Sequence, residues 1–299
     1  MELLEVVYEG GEVLDRALAA QRSLLQTELR SRFATLDMRR LSGPERAWTT
    51  RELAKRSQVV KYLLVRGLSG VPEIARCFPR ARLFLDALGR SEVPERASLA
   101  QYAFRTTRVF AYSHEMDQTL RGAGIGLVSR HSGPFFPRVR LTADPPPRPD
   151  CFRVGVPKLA GSVLEVLGAL KRARRGGRVD FDIVSTEKVS EVDVVPSAMD
   201  VAEQADLIVS ASVGQDRLGP DEGAILALCT GRALCTPSSS GFKNLPYSTG
   251  KYLQAEKYVL GSYADAALRY PGERAALDAW PASLELDWES VPREVLRRL

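Results

Sequence analysis

Hydrophobic positions along this chain follow two rhythms. Short aliphatic and β-branched runs occur at Leu3 to Tyr8, Val59 to Val65, Arg82 to Leu88, Val109 to Tyr112 and Ile125 to Ser129. Between them lie longer segments in which apolar residues return every three or four positions. Val13 to Phe33 is the clearest, with Leu14, Leu18, Leu24, Leu25 and Leu29 on one stripe, which predicts an amphipathic helix. Pro94 to Thr107 reads as a second helix and Ala34 to Leu41 as a candidate strand, while Pro44 to Gln58 starts polar and turns basic. Strands that alternate with helices, without tight hairpin signals, imply a parallel sheet covered on both faces.

The rhythm breaks after Ser129. His131 to Asp150 is irregular and carries tandem prolines at 145 to 147, which exclude helix and favour an extended linker. Strand-like runs then resume at Phe152 to Val156, Phe181 to Ser185, Val192 to Val195, Leu207 to Ser212 and Ala233 to Thr236. A helix is expected from the turn at Lys158 to Gly161 as far as Arg174. The expected architecture is α/β, with two Rossmann-like parallel-sheet domains facing a cleft. Residues 1–140 form the first domain, 151–285 the second, and 286–299 a closing helix.

One stretch concentrates the loop chemistry. Ala205 to Gly241 reads as a buried strand, a loop with three glycines and several acids, a helix with Glu222 in its first turn, a stop at Gly231, a short strand and a Ser/Gly loop. Two loops therefore leave the carboxyl ends of two neighbouring strands, where open α/β sheets bind ligands.

Composition narrows the class. The chain has 299 residues, 44% hydrophobic and 26% charged, ordinary for a globular protein with two cores. No apolar run approaches the roughly 20 residues that span a bilayer. The acidic amino terminus lacks the order of a signal peptide, so a cytoplasmic location is expected. Four cysteines without a CxxC pair, beside two histidines, exclude zinc-ligand spacing. Charge is asymmetric: through Asp150 there are 24 basic and 17 acidic residues, a balance of +7, and the remainder holds 18 and 20, a balance of −2. A basic first domain suits a polyanion or an anionic surface; Arg-rich solvated faces are the plain alternative.

The order of pieces in Asp206 to Ser212, Glu222-Gly223, Ala227 to Gly231 and Arg232 to Thr236 resembles the donor-nucleotide region of GT-B glycosyltransferases. The segment VFAYSHEMDQTLRGAGI (109–125) is similar to the last part of that family's acceptor domain. The resemblance implies a hexosyltransferase that moves a sugar from a nucleoside-diphosphate sugar, UDP-linked, to a hydroxyl of an anionic intracellular acceptor. A modified base in DNA and a lipid at a membrane surface both fit the charge. It also implies a terminal helix that crosses back onto the first domain, with Val295 and Leu296 as anchors. Leu226 stands where retaining members carry a second Glu, which leaves the stereochemistry open. Asp180-Phe181-Asp182 has Asp-x-Asp spacing but begins a strand, so a divalent metal is not expected to be required and no cofactor is implied beyond the donor.

On this reading Lys158, Gly161 and Ser162 hold phosphate at a helix start. Ser212, Ser239, Ser240, Gly241 and Lys243 offer hydroxyls, amides and a cation to the diphosphate, and Glu222 with Gly223 meets ribose or sugar hydroxyls. His114, beside Glu115 and Asp117, is the candidate general base, and Asp86 is a second. His131, in a flexible Ser-Arg-His-Ser-Gly stretch at the hinge, is read first as a hinge residue and only secondarily as one that could reach donor phosphates on closure. Each has a structural alternative: a surface lysine, a flexible Ser/Gly turn, a helix-favouring acid, a helix-start histidine, a turn-capping aspartate. Two other functions compete. ADLIVSAS (205–212) also resembles a strand of NAD(P)-dependent Rossmann oxidoreductases, although GxGxxG is absent, and a basic domain is compatible with a non-catalytic nucleic-acid-binding protein.

Overall fold

Two parallel sheets of six strands each organise the chain. The computed structural model describes residues 2–55, 57–88, 101–141, 151–157, 163–176, 180–210, 222–236, 245 and 257–299. In the first half these form β1 (Leu3–Val7), α1 (Glu12–Leu29), β2 (Phe33–Asp37), α2 (Gly43–Lys55), β3 (Tyr62–Arg66), α3 (Val71–Cys77), β4 (Arg82–Asp86), β5 (Thr106–Ala111), α4 (His114–Gly122) and β6 (Val128–Arg130). The second half contributes β7 (Cys151–Val156), α5 (Val163–Gly176), β8 (Asp180–Ser185), β9 (Asp193–Val194), α6 (Ala198–Gln204), β10 (Leu207–Val209), α7 (Glu222–Thr230), β11 (Ala233–Cys235) and β12 (Val259–Leu260). It ends in α8 (Tyr263–Leu268), α9 (Tyr270–Ser283) and α10 (Ser290–Arg298).

The first sheet runs β2-β1-β3-β4-β5-β6 and the second β12-β11-β10-β7-β8-β9, every pairing parallel. Each order reverses once. The chain winds outward from β1 to β2 and then returns to place β3 on the other side of β1. In the second sheet it winds from β7 through β9 and then returns to place β10 beside β7. The crevices at the carboxyl ends of β1/β3 and β7/β10 are therefore the two switch points where such sheets take ligands. Gly155 allows the second sheet to close: a Cβ there would lie 2.7 Å from both Ala205 Cβ and Val201 Cγ1, so α6 packs directly on β7.

Several boundaries differ from the periodicity. The stripe of α1 stops at Leu29, because a 3-10 turn over Arg30–Arg32, with Arg30 at φ 50, redirects the chain and Phe33 opens β2. The polar segment after Leu41 becomes α2. Ser42 and Glu45 form the glutamate half of a capping box there, with Ser42 N and Oγ donating to Glu45 Oε2 at 2.8 and 2.7 Å, a signal of the S-x-x-E type. Thr106 and Thr107 belong to β5 and not to a helix, as β-branched pairs prefer. Strand β12 and helix α6 had no counterpart in the sequence reading. Helix α7 is buried at all nine positions, since it lies between the two domains.

The core has three main parts. One lies under the first sheet, one under the second, and a third joins them. In the joining cluster Val13, Leu14 and Ala17 of α1 pack with Phe135, Phe136 and the apolar side of α6 and α7, while Leu18, Leu25 and Leu29 of the same helix belong to the first core. Helix α10 returns to the first domain, where Val291 and Val295 are fully buried in its core and Leu296 and Leu299 pack against it. The four cysteines form no disulfide. Among the described residues no helix is long and apolar enough to cross a membrane.

Candidate functional site

At the first switch point, Tyr8 to Gly11 leaves β1 and Gly67 to Gly70 leaves β3. Tyr8 N and Glu9 N both donate to Arg66 O, at 2.9 and 3.3 Å, which locks the two strand ends together. The Glu9 carboxylate lies in this crevice, 9% exposed, and accepts from Ser69 Oγ at 3.1 Å. Gly67 makes room for it. Its φ of 104 is in the left-handed region, and a Cβ would come within 2.6 Å of Glu9 Cγ, so a side chain is excluded by both strain and space.

Across the cleft the two domains exchange carboxylates. Glu12, the first residue of α1, accepts from Ala198 N at the start of α6 at 2.8 Å. Glu222, the first residue of α7, accepts from Val13 N in the first turn of α1 at 2.8 Å. Each acid thus satisfies an orphan amide at the positive end of a helix in the other domain. Glu222 is 6% exposed, and Gly223 beside it is buried. The contact is reinforced behind the cleft. Arg138 donates to Pro281 O, Ala282 O and Leu284 O at 3.0, 2.6 and 2.7 Å, closing the end of α9, and Val139 N donates to Cys229 O at 3.1 Å. Burial pushes the Cys229 thiol up to about 12, so it remains a neutral thiol.

The structure corrects the expectation for Asp86. This residue is fully buried in a polar chain that crosses four strands. Its Oδ2 pairs with Arg66 Nη1, and its Oδ1 accepts from Tyr112 OH at 2.6 Å. Arg66 Nε in turn donates to Glu5 Oε1 at 2.9 Å, and Arg22 Nε donates to Glu5 Oε2 at 2.6 Å. Burial, the largest influence, pushes the Asp86 carboxyl up, with Arg66 and Tyr112 opposing. A general base needs reach to a substrate proton; Asp86 has both oxygens engaged and no open face. It holds the ends of β3, β4 and β5 in place.

His114 is the first residue of α4, half-buried, at the carboxyl end of β5 where the cleft lies. Ser113 caps the helix, its Oγ accepting from Met116 N at 3.2 Å. His131 follows β6. Its ring stands edge-on to Phe110 at 5.0 Å, and its buried Nε2 has no hydrogen-bond partner among the described residues. Burial pushes it down to about 4, with the charges of Glu294 and Asp287 opposing. A neutral imidazole packed in this way is not presented to a phosphate.

Lys158, Gly161, Ser162, Ser212, Ser239, Ser240, Gly241 and Lys243 lie outside the described residues, as does the proline run of the linker. The strand ends that lead to the first four, Val156 of β7 and Val209 of β10, flank the second switch point. Glu9 and Glu12 were missed in the sequence. The local cue to them is an acid on each side of Gly10-Gly11, just before a long helix. Among the described residues no three His, Cys, Asp or Glu side chains are placed to hold a metal ion.

No family model matches the chain, and no curated protein matches it in sequence. Solved structures do match along nearly its whole length. Anabaena HepE, in complex with UDP and glucose, superposes with a TM-score of 0.60 at 11% identity, covering 98% of this chain and 95% of that one. The catalytic domain of starch synthase IV from Arabidopsis thaliana, bound to ADP and acarbose, gives 0.59 at 9% identity, covering 99% and 98%. A putative UDP-N-acetylglucosamine 2-epimerase from Listeria monocytogenes gives 0.58 at 8% identity, covering 99% and 94%. The shared feature is the fold: two Rossmann-like domains with parallel sheets, the GT-B arrangement.

Proposed function

We propose that this chain is a glycosyltransferase that moves a sugar from a nucleoside-diphosphate sugar, UDP-linked, to a hydroxyl of an anionic acceptor. The observation that carries the reading is the pair of switch-point crevices brought together across α1 and α7, each with a carboxylate at its floor or rim: Glu9 on one side, Glu222 on the other. A cleft of this kind holds a donor in one domain and an acceptor in the other. The UDP in HepE and the ADP in starch synthase IV, both structures of the same fold over the full length, support a nucleotide-linked donor.

In this reading the second domain takes the donor. Lys158, Gly161 and Ser162 after β7, and Ser212 after β10, meet the diphosphate; Ser239, Ser240, Gly241 and Lys243 complete its surround. Glu222 meets hydroxyls of the ribose or sugar. Transfer needs the acceptor hydroxyl to lose its proton as the sugar bond forms, and needs the leaving diphosphate to be stabilised. Glu9 and His114 are the two groups at the acceptor-side strand ends suited to take that proton. Glu9 replaces Asp86 in this role, because the Asp86 oxygens are committed to Arg66 and Tyr112. No metal ion is required in this scheme; the cations of the chain itself act on the diphosphate.

The epimerase of the same fold defines the alternative outcome, conversion of one UDP-sugar to another without an acceptor. The test is a product assay with UDP-glucose and UDP-N-acetylglucosamine, with and without hydroxylated DNA or lipid acceptors. Release of UDP that depends on acceptor supports transfer, and Glu9→Gln should slow it while donor affinity stays unchanged. A new UDP-sugar formed without acceptor replaces transfer with epimerisation. Stabilisation by NAD or NADP but by no UDP-sugar assigns the oxidoreductase reading instead.

A further inference from the structure

Part of the positive charge of the first half lies beside exposed apolar side chains at one pole of the first sheet. At the amino ends of β3 to β6, opposite the cleft, Val59 is 55%, Phe104 84% and Leu127 44% exposed. These strands are consecutive neighbours. At about 4.8 Å between strands, the three side chains span a row of roughly 15 Å. Lys61, Arg80 and Arg82, all exposed, lead into β3 and β4 within the same row. Leu127 also lines an apolar hollow of about 40 Å³ with Ala103 and Ile125.

Phe104 is not a loose side chain. The Arg105 guanidinium lies 5.8 Å over its ring. That guanidinium is fixed in turn, donating to Phe78 O at 2.6 Å and Ala75 O at 3.1 Å at the end of α3. The acid that opens β1 at this pole, Glu2, is neutralised by Arg32 at 3.0 Å. Helix α2 extends the surface: Trp48 is 66% exposed, and Arg51 and Lys55, also exposed, follow it at i+3 and i+7 on one stripe that descends toward Val59, Lys55 being paired with Glu52 at 2.6 Å.

We propose that this pole docks on the surface of an anionic membrane. The lysines and arginines meet lipid headgroups, and Val59, Phe104 and Leu127 enter the layer beneath, with Trp48 left above it. A nucleic acid would use the cations and could stack on an aromatic ring, but it offers nothing to Val59 or Leu127. A charged surface with an apolar layer under it accommodates both kinds of side chain at once. The cleft opens at the other end of the strands, so docking leaves it accessible to a nucleotide. The proposal rests on this surface and not on the catalytic reading.

The test is co-sedimentation of the full chain with phosphatidylcholine vesicles, with and without phosphatidylserine, at two salt concentrations. Binding should be roughly tenfold tighter or more with phosphatidylserine present and should weaken in salt. Two double variants, Phe104→Ser with Leu127→Ser and Arg80→Gln with Arg82→Gln, should each lose roughly tenfold, and the arginine pair should also flatten the salt dependence. The arginine pair is exposed and should leave the melting temperature unchanged, the Phe104/Leu127 pair should lower it only slightly through Leu127, 44% exposed and lining the hollow, and any UDP-sugar-induced thermal shift should persist in both. That shift also separates this test from the donor-binding proposal. Equal or absent binding to the two vesicle types, or parental binding by both double variants, would overturn the assignment. Retention of duplex DNA that the Phe104/Leu127 pair does not affect, without vesicle binding, would move the surface to nucleic acid.

Discussion

His131 makes the stability of this protein depend on pH in a window set by one ring. Its folded value, about 4, lies below the ordinary 6.5 because burial against Phe110 disfavours the charged imidazolium more than Glu294 and Asp287 favour it. As pH falls, the unfolded chain takes up this proton first. The stability associated with a neutral His131 is therefore complete above pH 6.5 and is lost as pH falls toward 4. At about 1.36 kcal/mol per pH unit, the loss accrued between pH 6.5 and pH 5 is about 2 kcal/mol. His131→Leu fills similar space and takes no proton. Urea unfolding of both proteins at pH 7 and pH 5, followed by fluorescence, cancels the carboxylates they share. The wild type should lose about 2 kcal/mol more than the variant on going to pH 5. If the two lose stability in parallel, the imidazole is not held neutral and the packing argument fails.

Other residues give separable outcomes. Glu222→Ala should lower stability by about 2 kcal/mol, because it leaves Val13 N–H without its charged acceptor, and it should weaken UDP-sugar binding; an unchanged melt would mean that the bond from Val13 contributes nothing to domain contact. Asp86→Ala should cost about 3–5 kcal/mol by leaving Arg66 with Glu5 alone, and Tyr112→Phe about 1 kcal/mol; a stable Asp86→Ala protein that has lost only its activity would restore Asp86 as a base. Truncation after Trp288 removes α10 with two fully buried valines, worth about 3 kcal/mol together, so the melting temperature should fall by several degrees, and an unchanged melt would show that the helix does not secure the first domain.

The alternation of short apolar runs with helical stripes was sufficient for the fold, because both sheets are parallel and their strands must be apolar on both faces. Val6 and Val7, Leu63 to Val65, and Leu207 to Val209 are all buried, and such runs are visible in any order. Ends were less legible. Arg30 and the capping box at Ser42 are decided by two or three backbone positions, and no apolar period reports on them. Strand β12 is only two residues long, too short for any pattern.

The site was legible in location and not in detail, for a reason that Glu222 and Asp86 show from opposite sides. Both are acids at an element boundary in the sequence, and locally they look alike. Asp86 ends β4 between strands that carry Arg66 and Tyr112, and it disappears into a buried network. Glu222 starts a helix, and the nearest amides to attract it would be those of α7 itself; it is used instead by Val13, 209 positions away. Glu12 makes the mirror contact with Ala198, across 186 positions. Neither partner can be read from spacing, since the pairing exists only once the two domains have met. The same contact ties the proposed donor side to the start of α1, which follows directly from the crevice that contains Glu9.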